Sequence, residues 1–189
     1  FISPEDSPSG DPLLVVANEV SGTLTVMGIH SALPEGAYTL NILHNNDGES
    51  QLLDAGGDLG DYGGIDRFVT LVQDRKRIAR ANQWAPVTIS SGDNFLAGPE
   101  FNASFVTLDS DTPVFYDAIG LNAVGYDAIV LGNHDFDFGP GLLAQFIAAV
   151  DPAVPYLSAN LDFSGEPALD ALESAGRIAK STTLTVDTR

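Results

Sequence analysis

The sequence predicts an α/β fold: a sheet with parallel pairs, covered by helices on at least one face and preceded by a β-hairpin. Three observations predict it. First, β-rich and helical runs alternate from residue 38 onward, the pattern of strands joined by crossover helices. Second, Ile65, Phe68, Val69 and Val72 recur at i, i+3, i+4 and i+7, which gives a helix one buried face. Third, Leu13–Asn18 and Thr23–Ile29 are β-rich runs around a short loop, Glu19-Val20-Ser21-Gly22. A Gly-ended loop between two such runs reads as a hairpin.

Taken in order, residues 1–12 are rich in Pro, Ser and acids and read as loop. The hairpin follows. A lone hairpin is marginal in water, so it must pack on something else. His30–Ala37 holds Pro and Gly and reads as a linker. Tyr38–His44 is an apolar strand, and Gly48–Gly64 is a loop rich in Gly and Asp. The periodic helix covers about 65–82. Strands are predicted at Pro86–Ser91, Asp127–Leu131, Tyr156–Ala159 and Ile178–Val186. Helices are predicted at Pro113–Val124, Gly141–Val150 and Leu169–Ala175. The intervening segment 94–112 reads as a loop lining the mouth of a site. The expected sheet has roughly four to five strands, with one apolar face or edge left open.

The chain has 189 residues and a formal net charge of −18, from 26 acids against 8 bases. That excludes a general electrostatic grip on nucleic acid or anionic lipid. Five of the bases lie between Arg67 and Arg80 on the periodic helix, where they read as a solvated face. There is no cysteine, so no disulfide scaffold and no thiolate site. No apolar run reaches the roughly 18 residues that a membrane span requires. The first residue is Phe and the only methionine is Met27, so the sequence does not start where translation would.

Three predicted strands end in polar loops marked by glycine. They are His44-Asn45-Asn46-Asp47-Gly48-Glu49, Ser90-Ser91-Gly92-Asp93-Asn94 and Gly132-Asn133-His134-Asp135-Phe136-Asp137. Sites in open α/β sheets form beyond the carboxyl ends of strands, so these loops can converge. Together they offer hard oxygen donors and one imidazole, which suit a divalent cation. Each loop alone is an ordinary turn former. Three in series are harder to explain that way.

The series NDGE, SGDN and GNHDFD on successive strands resembles the first three motifs of the calcineurin-like metallophosphoesterases, most closely the 5′-nucleotidase type. The resemblance spans about Tyr38–Asn160, and the later Ser158–Leu161 (SANL) fits it too. It implies the first half of a two-sheet sandwich flanked by helices. It implies a phosphomonoester hydrolase, 5′-nucleotidase-like, in which a metal-bridging hydroxide attacks a substrate such as a nucleotide. Two divalent ions would serve as cofactors: Mn, Zn, Mg, Fe or Ca. By position, Asp47 would ligate the first metal, Asp93 would bridge both and Asn133 would bind the second. His134 would contact the phosphoryl group, Asp137 would orient its imidazole, and Asn94 would lie with His134 against substrate. Asp135 matches a structural position. Leu13–Val26 (LLVVANEVSGTLTV) resembles the last blade of a β-propeller, which divides the chain into a propeller remnant (1–30), a linker (31–37) and a partial phosphoesterase domain (38–189). That arrangement implies a large secreted bacterial protein, extracellular or periplasmic.

Two departures stand out. The family has His where this chain has Glu49. A carboxylate there can still ligate, and it shifts the expected preference from zinc toward Mn, Mg or Ca. The family's remaining ligands are histidines further along, yet no histidine follows His134. The expectation is therefore an incomplete piece that lacks its C-terminal half and has little turnover alone. The rival expectation is a non-catalytic, acidic, calcium-binding extracellular module.

Overall fold

The computed structural model describes residues 13–18, 23–28, 39–108 and 113–186. The chain divides into two units, residues 1–39 and 40–189. In the first, β1 (Leu13–Asn18) and β2 (Thr23–Gly28) form an antiparallel ladder with Leu13 opposite Gly28 and Asn18 opposite Thr23. This is the expected hairpin. The expected loop at 1–12 and the linker at 31–37 lie outside the described residues.

The second unit is a five-stranded parallel sheet in the order β3–β4–β5–β6–β7, so strand order in space follows strand order in sequence. The strands are β3 (Leu40–Asn45), β4 (Ala85–Ser90), β5 (Ala128–Val130), β6 (Tyr156–Leu157) and β7 (Ile178–Ala179). The connecting helices are α1 (Ile65–Ala81), α2 (Pro99–Phe105), α3 (Tyr116–Val124), α4 (Pro140–Ala149) and α5 (Pro167–Ser174). Each strand is laid beside the preceding one in the same direction. Right-handed crossovers then put every helix on one face. The contacts agree: α1 packs on α3, α3 on α4, and α4 on α5.

Register divides the strand residues between the two faces. Leu43, Ile129, Tyr156 and Ile178 point toward the helices and join the main core. The opposite face carries Leu40, Ile42, Val87, Ile89, Val130 and Leu157. These six aliphatic residues take no part in that core. The expected apolar face therefore exists, although it is mostly half-buried rather than open.

Two cations hold the helix ends. The buried Lys76 ammonium donates to the carbonyls of Val124 (3.0 Å) and Gly125 at the end of α3. Burial pulls its pKa down. The Arg177 guanidinium donates to Ile147, Val150, Asp151 and Val154 at 2.9–3.1 Å. These carbonyls lie at and just beyond the end of α4, where a positive charge is favoured.

Some boundaries differ from expectation. The strand expected over 178–186 pairs only at Ile178–Ala179, and the one expected over 156–159 only at Tyr156–Leu157. The alternation of Thr and Val suggests a longer strand, but partners are found only at its start. The segment expected to be loop at 94–112 contains α2. Proline stands in the first turn of that helix, where its missing N–H costs nothing.

Candidate functional site

The three glycine-marked loops do converge beyond the carboxyl ends of β3, β4 and β5. Backbone bonds run from Asp47 N to Gly92 O (3.2 Å), Glu49 N to Asp93 O (3.0 Å) and Ser50 N to Asn94 O (3.2 Å). They lay the first loop along the second. The His134 N–H donates to Asp93 Oδ1 at 2.7 Å, which ties the third loop to the second.

Glycine makes that approach feasible. A Cβ on Gly92 would stand 2.3 Å from Gly132 N, and one on Gly132 would stand 2.3 Å from Asp93 Oδ1. Gly92 also has φ +97°. Beneath the loops lies an aromatic floor. Phe95 and Phe138, each one residue past Asn94 and Asp137, both pack on Phe101 of α2, with ring centroids 4.8 Å apart in each pair. Phe101 is fully buried, so much of α2 supports the loops from below rather than lining a mouth.

Backbone strain concentrates here. Asp47, Glu49, Ser50 and Asp93 have φ between +45° and +57°, the left-handed region that side chains with a Cβ enter at a cost. Such outliers gather where structure is held for a task.

Asp47 is exposed, and its carboxylate accepts a hydrogen bond from the Asn46 side-chain amide. Glu49 is half-buried and Asp93 is buried. Asn133 is exposed at the head of a 3₁₀ turn spanning His134–Phe136. That turn repeats every three residues, so His134 and Asp137 fall on one side. His134 Nδ1 meets Asp137 Oδ2 at 2.8 Å, and both side chains are about 40% exposed, at 39% and 41%. The Asp137 hydrogen bond raises the imidazole pKa, and the nearby charges of Asp93 and Glu49 add to the effect.

Asn94 is placed differently from the others. It is 5% exposed, and its Oδ1 accepts from the Ser90 hydroxyl at 2.8 Å. Its side chain therefore lies under the loops. Asp135, also buried, accepts from Gly132 N at 2.8 Å. Burial pushes its carboxyl up to about 7. The sequence reading of Asp135 is structural, and the bonds it makes are of that kind.

The donor chemistry fits a hard divalent cation, but the set is incomplete. Among the described residues, no group of three or more His, Asp or Glu side chains is placed to hold a metal ion. Asp47, Glu49, Asp93 and Asn133 lie on the three loops that meet here, with the His134 imidazole beside Asp93.

No family model matches the chain. Curated relatives do. The trifunctional nucleotide phosphoesterase protein YfkN of Bacillus subtilis is 30% identical over 148 residues, covering 71% of this chain and 9% of that protein. A snake venom 5′-nucleotidase of Gloydius brevicauda is 30% identical over 165 residues, covering 84% of this chain and 25% of that protein. The crystal structure of a 5′-nucleotidase precursor from Thermus thermophilus matches with a TM-score of 0.59 at 30% identity, over 79% of this chain and 26% of that one. The chain thus spans about a quarter or less of the length of these proteins. Nothing in these matches supports the propeller reading of the hairpin.

Proposed function

Because this chain belongs to the calcineurin-like metallophosphoesterases of the 5′-nucleotidase type, we propose that it carries the first half of a site that hydrolyses phosphomonoesters, nucleotides among them. The family is metal-dependent. Asp47, Asp93, Asn133 and Glu49 are the residues here that would hold divalent ions, two in number and of the Mn, Mg or Ca kind. Such ions supply charge stabilisation and activate water when bound. No helix among the described residues is long and apolar enough to cross a membrane. An extracellular or periplasmic location and the division of the chain at 1–30, 31–37 and 38–189 belong to the same proposal.

The observation that carries the reading is the pair His134–Asp137, anchored through the His134 backbone to Asp93. Asp137 holds Nδ1, which fixes the tautomer and leaves Nε2 to face a substrate. Its negative charge favours the imidazolium. A protonated Nε2 can donate to a phosphoryl oxygen and then pass its proton to the departing alkoxide, which is general acid work. Asp93 sits beside this group, so a phosphoryl group held at Asp93 would lie within reach of the imidazole.

The test reads binding, because the incomplete donor set predicts weak turnover from these 189 residues. Mn²⁺ should broaden the amide NMR signals of Asp47, Asp93 and Asn133 first. With Mg²⁺ present, AMP should shift the His134 ring signals and adenosine should not. His134→Ala should weaken AMP binding yet keep the Mn²⁺ broadening. Asp137→Asn should bring the His134 pKa back down. If adenosine binds as well as AMP, or Mn²⁺ broadens Asp93 no more than distant acids, the proposal fails. Broadening by Mn²⁺ with no response to AMP would favour the acidic cation-binding module.

A further inference from the structure

Behind the first loop lies a cavity of about 260 Å³, walled by Leu52, Ile65, Phe68 and Leu121 and by the bare backbone of glycines. Its lining is mostly apolar, and none of the described residues lining it is basic. Asp117, in the first turn of α3, is 2% exposed and lines this cavity. Neither of its carboxylate oxygens has a hydrogen-bond partner. The neighbouring Ser50 hydroxyl bonds the Leu96 backbone, donating to its O at 3.2 Å and accepting from its N at 3.0 Å. Asn94 also lines the cavity, and its Nδ2 is buried without a partner.

Buried polar groups are nearly always hydrogen-bonded, so a carboxylate with two orphaned oxygens calls for an explanation. Its surroundings hold no compensating cation. Burial pushes its carboxyl up to about 6, against the pull of the neighbouring Ser50 hydroxyl, and the like charge of Glu100 adds to the rise. Among the described residues Asp117 is the one carboxylate lining the cavity, and no group of three acidic or imidazole side chains is placed to hold a metal ion. Apolar walls with one converging charged group match a small organic ligand. A carboxylate with both oxygens free matches paired N–H donors, and the Phe68 ring can face a cation.

We propose that this cavity is a binding site for a small organic cation, a molecule with an amidinium or ammonium head on an apolar body. The head pairs with Asp117, and the body lies among Leu52, Ile65 and Phe68. Asn46, Gly48 and Asn94 line the same cavity and adjoin Asp47 and Asp93, so an occupant also braces the two loops above. This site does not depend on the phosphoesterase reading.

Benzamidine is the probe, titrated into the 189-residue chain and followed by amide NMR shifts at Leu52, Phe68 and Leu121. Saturable shifts are expected from benzamidine and not from benzoate or benzyl alcohol. Asp117→Asn keeps the shape, removes the charge, and should weaken binding by at least about tenfold. Asp170→Asn, at an exposed acid on α5, should leave it unchanged, which separates this site from general attraction to an acidic surface. The proposal is overturned if benzamidine gives no saturable shift, if benzoate matches it, or if Asp117→Asn binds it as well as the parent.

Discussion

Replacing Gly132 by Ala tests whether close contact between the second and third loops holds the candidate site together. The backbone of Gly132 does not need glycine, since its φ lies outside the left-handed region. The added methyl is therefore the whole perturbation. Its carbon would stand 2.3 Å from Asp93 Oδ1, 2.6 Å from Asp93 Cγ and 2.8 Å from Asp93 N. Ordinary contact begins near 3.4 Å, so the loops must part by about 1 Å. That movement takes the 2.7 Å bond between His134 N and Asp93 Oδ1 past hydrogen-bonding range. Overpacking costs about 1–3 kcal/mol, and a hydrogen bond to a charged group contributes about 1.5–3 kcal/mol. The two overlap, so the expected loss is about 3–5 kcal/mol. Urea unfolding followed by circular dichroism measures it, and the His134 amide shift reports the broken bond. A variant within about 0.5 kcal/mol of the parent, with the His134 amide unmoved, would refute the reasoning.

Two further predictions concern stability. Arg177→Met removes the donor shared by four carbonyls at the end of α4, and should cost about 2–4 kcal/mol; a thermal melt unchanged from the parent would refute this. Asp117 titrates at about 6 in the native protein against an ordinary 3.8. The native state therefore keeps a proton that the unfolded chain has lost, and stability falls as pH rises from about 4 to about 6. At 1.36 kcal/mol per pH unit the full loss is about 3 kcal/mol. Asp117→Asn should escape it, so the variant should be the more stable one at about pH 7.5 and gain little at about pH 4. Equal gains at both values would show that the carboxyl is not held neutral by burial.

The site is more legible in the sequence than its supports. Glycine beside Asx at three strand ends marks sharp turns and oxygen donors together, and those residues do meet. The His134–Asp137 pair is legible through the family resemblance, and the 3₁₀ turn that forms there brings the two side chains together. What joins the loops is hidden, since the contact of Gly92 with Gly132 depends on two strands lying side by side. The same holds for Lys76 and Arg177, whose partners are carbonyls up to 49 and 30 residues away. Asp117 gives no signal either: one acid in an apolar helix reads as an exposed residue until the packing around it is seen. Strand ends are overestimated at β6 and β7 because β propensity says nothing of whether a neighbour is present. The Phe-rich stretch around α2 reads as loop because glycine and proline precede it, although its rings form the floor of the site.

The spatial order of the strands bears on how the molecule is made. Every strand of the parallel sheet after β3 pairs with the one synthesised just before it, and α3, α4 and α5 each pack on a helix already laid down. Such a sheet can grow from one edge as the chain leaves the ribosome, without waiting for a distant partner. Asp47 through Asp137 all precede β6, so the clustered loops can form while later residues are still being added. During that interval the row of Leu40, Ile42, Val87, Ile89 and Val130 is a newly made greasy surface, and this is the stage at which a holding chaperone has most to do.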